Sequence, residues 1–423
     1  MLQKIKEYKD TLFTLLLRIL GAFTLLGFTM YFTNYYPTHI VGDYEFVRLF
    51  LLVVGGLCLM GTEVSILYFA GQLSKTNQSE SIKPLYFRIL SLILSVSILP
   101  LLLYFFIPNQ WIIDVFGGSH TPEIIFKCLL FLPFNVLTIF NTEMIRAMHH
   151  IVWSELFRNV FKFFPIFFGV LLLSNAESQQ VVLDYYIIGF VVLGIVTSLY
   201  IWNYIKNMQP TANVYSTSEI LKISTPIAIS NLIFYLLATI DVVLLRKWWG
   251  SDMVGLYSLP VKLILFINMI TLSINVNVSP KISELYSNKN EEMQQLLKKN
   301  ARIIAVINWF CGCVVIALAD WILSIFGSEY VQGIHTFYIL IAGHLICSLF
   351  GCVSVYLNMT NRTAVFRTIM FCSLIINLVA SVLLIPNFGM MGAAISFVLA
   401  NFFWYVVAAV YTYKKDKIKI FVH

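Results

Sequence analysis

Long apolar runs separated by short polar breaks recur along the whole chain. A helix needs about 20 mostly apolar residues to cross a hydrocarbon core. Runs of that length predict spans at 12–34, 46–70, 85–107, 123–145, 157–174 and 184–205. Six more follow at 219–245, 257–284, 302–325, 336–358, 367–385 and 391–413. The polar stretch Lys206–Ser218, which contains Pro210, separates the two sets and reads as a linker. Leu12–Tyr36 is too long for a signal-peptide core and lacks a small-residue cleavage site, so it reads as a retained first span. The expected fold is an all-α polytopic membrane protein with twelve transmembrane helices in two six-helix pseudo-twofold lobes. The expected domains are an N-terminal lobe (1–205), a cytoplasmic linker (206–218), a C-terminal lobe (219–413) and a basic cytoplasmic tail (414–423).

Two short signatures return at nearly one period. Val41-Gly42-Asp43-Tyr44 reappears as Val254-Gly255-Leu256-Tyr257, with Gly255 lying 213 residues after Gly42. Trp111-Ile112-Ile113-Asp114-Val115-Phe116-Gly117 reappears as Trp321-Ile322-Leu323-Ser324-Ile325-Phe326-Gly327, with Trp321 lying 210 residues after Trp111. Both read as turns or span ends at apolar-run boundaries. Their common period points to a duplicated unit of about half the chain.

Composition agrees with the span pattern. The chain is 59% hydrophobic and 12% charged, too little polarity to cover a water-facing surface. Its net charge of +7 is distributed unevenly. With both termini in the cytoplasm, 22 of the 28 Lys and Arg residues fall on the inner side. Five fall outside (Arg48, Lys127, Arg246, Lys247 and Lys262) and Arg18 lies within span 1. This is the positive-inside bias. The seven cysteines have neither metal-finger nor redox spacing and read as small apolar side chains. Asn288–Asn300 mixes acids and lysines at helical spacing, as a solvated or interfacial helix does. No nucleotide loop, zinc spacing, nucleophile constellation or nucleic-acid motif occurs.

Ionisable residues inside spans are the best pointers to chemistry, because hydrocarbon disfavours them by about 2.5–3.5 kcal/mol even on insertion scales. Arg18 could hold a phosphate through its guanidinium fork, or could snorkel to the headgroups. Glu63 lies at a similar depth in span 2. It could face Arg18 or serve as a proton or sodium site. Arg48 and Lys262 begin the repeat-equivalent spans 2 and 8, either as a positive lining or as interfacial anchors. Asp241, near Arg246 and Lys247, reads as an ion-pair partner, with ion coupling as the alternative. In span 8, Asn268, Thr271, Asn275 and Ser279 share one helix face, which should meet a cavity or another helix rather than lipid. His344 reads as a hydrogen-bonded structural histidine; Asn231 and Asn377 stand alone.

The Gly-x-Tyr element at Gly255 and Tyr257, Ser279-Pro280-Lys281 at the end of span 8, and Ile385-Pro386-Asn387-Phe388-Gly389-Met390-Met391-Gly392-Ala393-Ala394 carry a resemblance. Together with two six-helix repeats, they resemble the Wzx-type polysaccharide flippases of the multidrug/oligosaccharidyl-lipid/polysaccharide exporter superfamily. The resemblance implies a MATE/MurJ-like fold with two lobes in a V and a central cationic cavity. It implies a flippase moving undecaprenyl-diphosphate-linked oligosaccharide across a bacterial inner membrane for O-antigen or capsule synthesis. Arg18, Arg48 and Lys262 would hold the diphosphate, and Asn268, Thr271 and Asn275 would meet sugar hydroxyls. Glu63 and Asp241 would be the candidates for H+ or Na+ coupling, with no other cofactor. Membrane lipids and other polysaccharide-assembly proteins would be the partners. A drug/cation antiporter of the same superfamily is the alternative, although such a protein would be expected to carry an acid in span 1. A membrane glycan polymerase or ligase usually needs a long outer loop, and the predicted outer loops are short.

Overall fold

The computed structural model of the protein describes residues 2–76, 78–165, 167, 181–209, 215–285 and 290–421, with side chains described at Leu17 and from Leu20 onward, Asn290 excepted. Every regular element among these residues is helical. The first half forms α1 (Leu2–Tyr35), α2 (Thr38–Leu59), α3 (Thr62–Lys75), α4 (Ile82–Tyr104), α5 (Asn109–Phe116), α6 (Thr121–Ala147), α7 (Ile151–Asn159) and α8 (Val181–Ile205). The second half forms α9 (Thr217–Leu237), α10 (Ile240–Leu285), α11 (Asn290–Ala317) and α12 (Ala319–Ile325). It ends with α13 (Ile334–Ser348), α14 (Val353–Met359) and α15 (Thr363–Asp416). Helices prevail because each satisfies its backbone N–H and C=O groups within one segment, where lipid offers no water.

Among the described residues, seven segments are long and apolar enough to cross a membrane, or up to eight when the bent pair α2–α3 counts as one span. Two of them exceed a single crossing: Thr217–Leu285 has 69 residues and Thr363–Asp416 has 54. Gly250 (φ 82) and Gly389 (φ 53) interrupt these two segments, at the breaks expected between spans 7 and 8 and between spans 11 and 12. Side chains such as Phe106, Val306, Phe310 and Leu383 are exposed. Acyl chains suit that surface, and water does not.

Several expected spans take a different form. Span 46–70 is not one straight helix: α2 and α3 meet at a 43° bend. Span 336–358 divides into α13 and α14 around Gly351. From Asn290 the amphipathic stretch is continuous with α11, and the chain restarts as α12 at Ala319. Within span 157–174, α7 stops at Asn159, a 3-10 turn covers Phe161–Phe163, and Phe164, Pro165 and Phe167 are helical; 166 and 168–174 lie outside the described residues.

The chain forms two compact units, Met1–Tyr36 with Asp43–Tyr235, and Pro37–Gly42 with Leu236–His423. Most of α9 therefore belongs to the first unit. The reason lies at the α2–α3 bend, where Met60 and Gly61 both have positive φ (50 and 78). A Cβ on Gly61 would lie 2.4 Å from Ser224 O and 2.7 Å from Ala228 N. Only glycine allows both that conformation and that approach of the α9 backbone. Ser65 Oγ and Ser224 Oγ share a hydrogen bond of 2.6 Å beside the contact. The core of this unit packs Phe46, Val47, Ile66, Phe69, Ile89, Phe140 and Ile201. Within it, Tyr86 OH donates to Asn141 Oδ1 at 2.9 Å, and Asn141 Nδ2 donates to Thr197 Oγ1 at 3.1 Å and Ser198 Oγ at 2.9 Å.

In the second unit the two Gly-x-Tyr signatures are helical rather than turns. The start of α2 crosses α10 with its glycines in contact. A Cβ on Gly42 would lie 1.8 Å from Ser251 O and 3.0 Å from Gly255 N. A Cβ on Gly255 would lie 2.2 Å from Thr38 O and 3.3 Å from Gly42 N. Small residues at such crossings let backbones meet in a bilayer, where apolar burial gives no driving force. Thr38 Oγ1 donates to Asp252 Oδ1 at 2.6 Å and ties the same crossing. The other repeated signature is also one local structure used twice. α5 ends at Gly117 (φ 71), and α12 ends just before Gly327 (φ 126).

The end of the chain is tied down. Arg362 forms an ion pair with Asp416 and donates to Oδ1 at 2.6 Å, and Tyr356 OH donates to Oδ2 at 2.8 Å. Gln294 Nε2 donates to Lys419 O, and Lys419 N donates to Gln294 Oε1, both at 2.7 Å. Ile418 and Ile420 are buried. Burial disfavours the charged form of Asp416, but the hydrogen bonds from Arg362 and Tyr356 and the nearby cations outweigh it. Its pKa therefore lies below the ordinary carboxylate value.

Two predictions follow from these contacts. Gly42→Ala and Gly255→Ala should each lower the apparent melting temperature of the purified protein, by overpacking of about 1–3 kcal/mol. Gly27→Ala and Gly71→Ala, where a Cβ would meet nothing within 4 Å, should leave it unchanged. For the tail, a depressed folded pKa means that the stabilisation from Asp416 is present above its unfolded value, about 3.9, and is lost as pH falls through the lower folded value. Hydrogen exchange at 417–421, corrected for intrinsic rate, should therefore accelerate on acidification below that window. Asp416→Asn should remove the protection at neutral pH.

Candidate functional site

In the first unit, the polar groups buried at span depth gather around the start of α3. Gly61 caps that helix, so Glu63 sits in its first turn, where the backbone dipole favours a negative charge. Asn231 Nδ2, from α9, donates to Glu63 Oε1 at 2.7 Å. Oε2 of the same carboxylate is buried and has no hydrogen-bond partner among the described residues. The charge of Glu143 on α6 acts on Glu63, and both carboxylates act on Tyr235. Glu143 is itself ion-paired with Arg158 of α7. Ser154 Oγ holds α7 against α6 by donating to Thr142 O at 2.8 Å.

Arg48 belongs to a second group in this unit. Its Nε donates to Glu45 Oε2 at 2.9 Å, and Nη2 lies 2.8 Å from the same oxygen. Glu45 is 1% exposed, so the guanidinium offsets an otherwise costly buried charge. Lys162 adds positive charge near both Arg48 and Arg158, and rests 4.9 Å from the Phe163 ring centre. Tyr44 and Tyr186 meet edge to face beside them, with ring centres 5.0 Å apart. Arg18 lies one turn before Gly21 on α1, and a Cβ on that glycine would lie 2.4 Å from Asn159 Cβ. The Arg18 side chain lies outside the described residues.

The second unit holds the other candidates. Lys262 is 6% exposed and is engaged by neighbours. The sequence makes Asp241 the expected partner of nearby cations. Instead its Oδ1 accepts from Val242 N at 2.9 Å and its Oδ2 from Tyr257 OH at 2.6 Å. Arg246 Nε points to Ser251 Oγ at 3.2 Å. The tyrosine of the Gly-x-Tyr signature thus holds a buried carboxylate. Part of the span-8 polar face meets another helix. Asn308 Nδ2, on α11, donates to Thr271 Oγ1 at 3.1 Å, and Asn308 Oδ1 lies 2.9 Å from His344 Nε2 on α13. Asn275 is buried and its Oδ1 has no partner among the described residues, while Asn268 is half-buried.

The structure gives partners to residues that looked isolated in the chain. Asn231 serves Glu63, and Asn377 Nδ2 donates to Leu237 O at 3.3 Å. Asn308, Glu143 and Arg158 were not singled out from the sequence as site residues. Asn308 carries the one signal that could have found it, an amide inside an apolar run.

Residues 185–335 match the family model described as polysaccharide biosynthesis protein. No curated protein matches the chain. Among solved structures, the fold is similar to lipid II flippase MurJ in an inward closed conformation, with TM-score 0.73 and 14% identity over 96% of this chain and 87% of that one. It is also similar to an inward-facing multidrug resistance MATE family transporter of the MOP superfamily, with TM-score 0.68 and 11% identity over 95% and 94%. A MOP superfamily transporter from Pyrococcus furiosus matches with TM-score 0.62 and 12% identity over 97% and 96%. By fold, then, the chain is an all-α, multi-pass membrane protein with a MATE/MurJ-like architecture, and its residues 185–335 match a polysaccharide-biosynthesis family model.

Proposed function

We propose that the protein is a non-enzymatic flippase for undecaprenyl-diphosphate-linked oligosaccharide repeat units, carrying them from the cytoplasmic to the outer leaflet. The observation that carries this reading is the pairing of a polysaccharide-biosynthesis segment with a fold like that of a lipid II flippase along 96% of the chain. The product would serve surface polysaccharide such as O-antigen or capsule. The chain would lie in a bacterial inner membrane with both termini in the cytoplasm, as the distribution of Lys and Arg favours.

The chemistry of the cargo sets what the protein must do. A diphosphate cannot cross hydrocarbon unaided, and fixed cations in a low-dielectric setting lower its barrier. Arg18, Arg48 and Lys262 are the proposed phosphate contacts. The buried Lys262 supports this reading in the second unit. Arg48 would exchange part of its hold on Glu45 for phosphate oxygens, both being acceptors of the same fork. Asn268, Thr271 and Asn275 would meet sugar hydroxyls, and the unpartnered Oδ1 of Asn275 is an acceptor suited to them. The two halves of the chain would alternate access from one side of the membrane to the other. Other polysaccharide-assembly proteins and membrane lipids are the proposed partners, and an H+ or Na+ gradient the proposed energy source.

The test uses proteoliposomes bearing a fluorescent, short-prenyl, diphosphate-linked saccharide, with leaflet accessibility as the readout. Protein-dependent translocation is expected, and Lys262→Ala should slow it roughly tenfold or more, the loss of one charge-assisted contact. A failure to move this probe, together with active extrusion of an organic cation, would reverse the reading in favour of a drug antiporter.

A further inference from the structure

A threonine buried in a helix can spend its hydroxyl hydrogen on the carbonyl one turn earlier. Thr142, Thr197 and Thr412 do so, at 2.7, 2.7 and 2.8 Å. Thr271 on α10 departs from them. Its oxygen accepts from Asn308 Nδ2 of α11 at 3.1 Å, and no bond to Ile267 O accompanies that contact among the described residues. Thr271 and Asn308 are 5% and 0% exposed, so solvent does not stand in for the missing bond.

What each atom can do fixes the direction of every bond in this group. Ile304 O can only accept, so the end of the Asn308 amide 2.8 Å from it is Nδ2, and the other end is Oδ1. Oδ1 can only accept in turn, so His344 Nε2, 2.9 Å away on α13, carries a hydrogen. The imidazole thus holds the amide in the one orientation that presents a donor to Thr271. The hydrogen of the Thr271 hydroxyl must then point away from Asn308. One turn further along α10, Asn275 is 7% exposed, and its Oδ1 has no partner among the described residues. Thr271 and Asn275 are four residues apart and share a helix face. An unspent donor and an unspent acceptor therefore stand one turn apart, and all four residues belong to the second unit.

We infer that Asn308, oriented by His344, is a positioning residue that turns the Thr271 hydroxyl off its own helix, so that Thr271 and Asn275 together select a hydroxyl group of the cargo. A hydroxyl accepts from Thr271 and donates to Asn275 Oδ1. An ether oxygen accepts but cannot donate. A site built around an O–H rejects a group without one, because the buried polar atoms of the site are left unpaired. The selection rests on the flippase reading; the orientation of Asn308 and His344 does not.

The orientation is tested by magic-angle-spinning NMR of the full-length protein in liposomes with 15N-labelled histidine, the His344 signals being identified by their loss in His344→Phe. Nε2 of wild-type His344 should carry a hydrogen. Its signal should shift in Asn308→Leu, which removes the acceptor, and hold its place in Thr271→Val. A neutral His344 with its hydrogen on Nδ1 overturns the positioning. The selection is tested in the translocation assay with two probes, a fluorescent short-prenyl diphosphate bearing one hexose and the same lipid with the hexose O-methylated. The wild-type protein should favour the free hexose by about tenfold or more. Asn308→Leu should narrow that preference, since Thr271 can then fall back on Ile267 O. His344→Phe, which frees the amide to turn, should narrow it too, and His344→Gln, which keeps a donor for Oδ1, should preserve it. Equal slowing of both probes in Asn308→Leu with the preference intact marks a packing role and overturns the inference. Equal rates for both probes in the wild-type protein, as when water alone occupies the pair, overturn the selection and leave the flippase reading standing. If neither probe moves, the flippase reading falls by itself, and the NMR comparison still decides the positioning.

Discussion

Inside a bilayer a polar group cannot fall back on water, and this constraint runs through the whole molecule. The backbone meets it by being helical wherever it is described as regular structure. Side chains meet it by pairing across helices. Asn141 serves Tyr86, Thr197 and Ser198, and Asn308 serves Thr271 and His344; within α10, Asp241 takes Val242 and Tyr257. Groups that escape this pairing are conspicuous. Glu63 Oε2, Asn135 Oδ1 and Asn275 Oδ1, buried and without partners among the described residues, are among the places where a ligand or water has something to satisfy.

The same solvent changes what packs helices together. Leu on a lipid-facing surface gains little by burial, so close approach and van der Waals contact take over. Gly42, Gly255 and Gly61 are where this shows. At each, a neighbouring backbone atom occupies the volume of a methyl group. The first two connect the start of α2 to the part of α10 just after its break at Gly250, the helices that carry the duplicated signature. Tyr257, two residues beyond Gly255, uses its hydroxyl to hold the Asp241 carboxylate. One short motif therefore combines a backbone crossing with the stabilisation of a buried charge.

The charged groups fall into two classes with different consequences. Arg48 with Glu45, Arg158 with Glu143 and Arg362 with Asp416 are opposite charges in contact, and each pair removes its own electrostatic penalty. Glu63 has an amide, and Asp241 a hydroxyl and a backbone N–H, where the others have a cation. An amide orients a carboxylate without cancelling its charge, and at Glu63 the place that a cation takes in those pairs is held by Asn231.

Much of the architecture was legible in the chain, because span length is a local property of a helix in a bilayer. The runs near 12–34, 123–145 and 184–205, the breaks at Gly250 and Gly389, and the repeated Gly-x-Tyr and Trp-to-Gly signatures are all readable in one dimension. The bend at Met60–Gly61 and the division of 336–358 were not, because hydropathy does not register a change of helix direction. The site was only partly legible. Glu63 stood out as an acid in an apolar run. Its partner Asn231 lies 168 residues away, and Asn308 and Thr271 are 37 apart. The chain by itself determined which groups must be buried. Only the tertiary structure decided which of them satisfy one another, because a hydrogen bond depends on distance in space and amides far apart in sequence carry no mark of their partners.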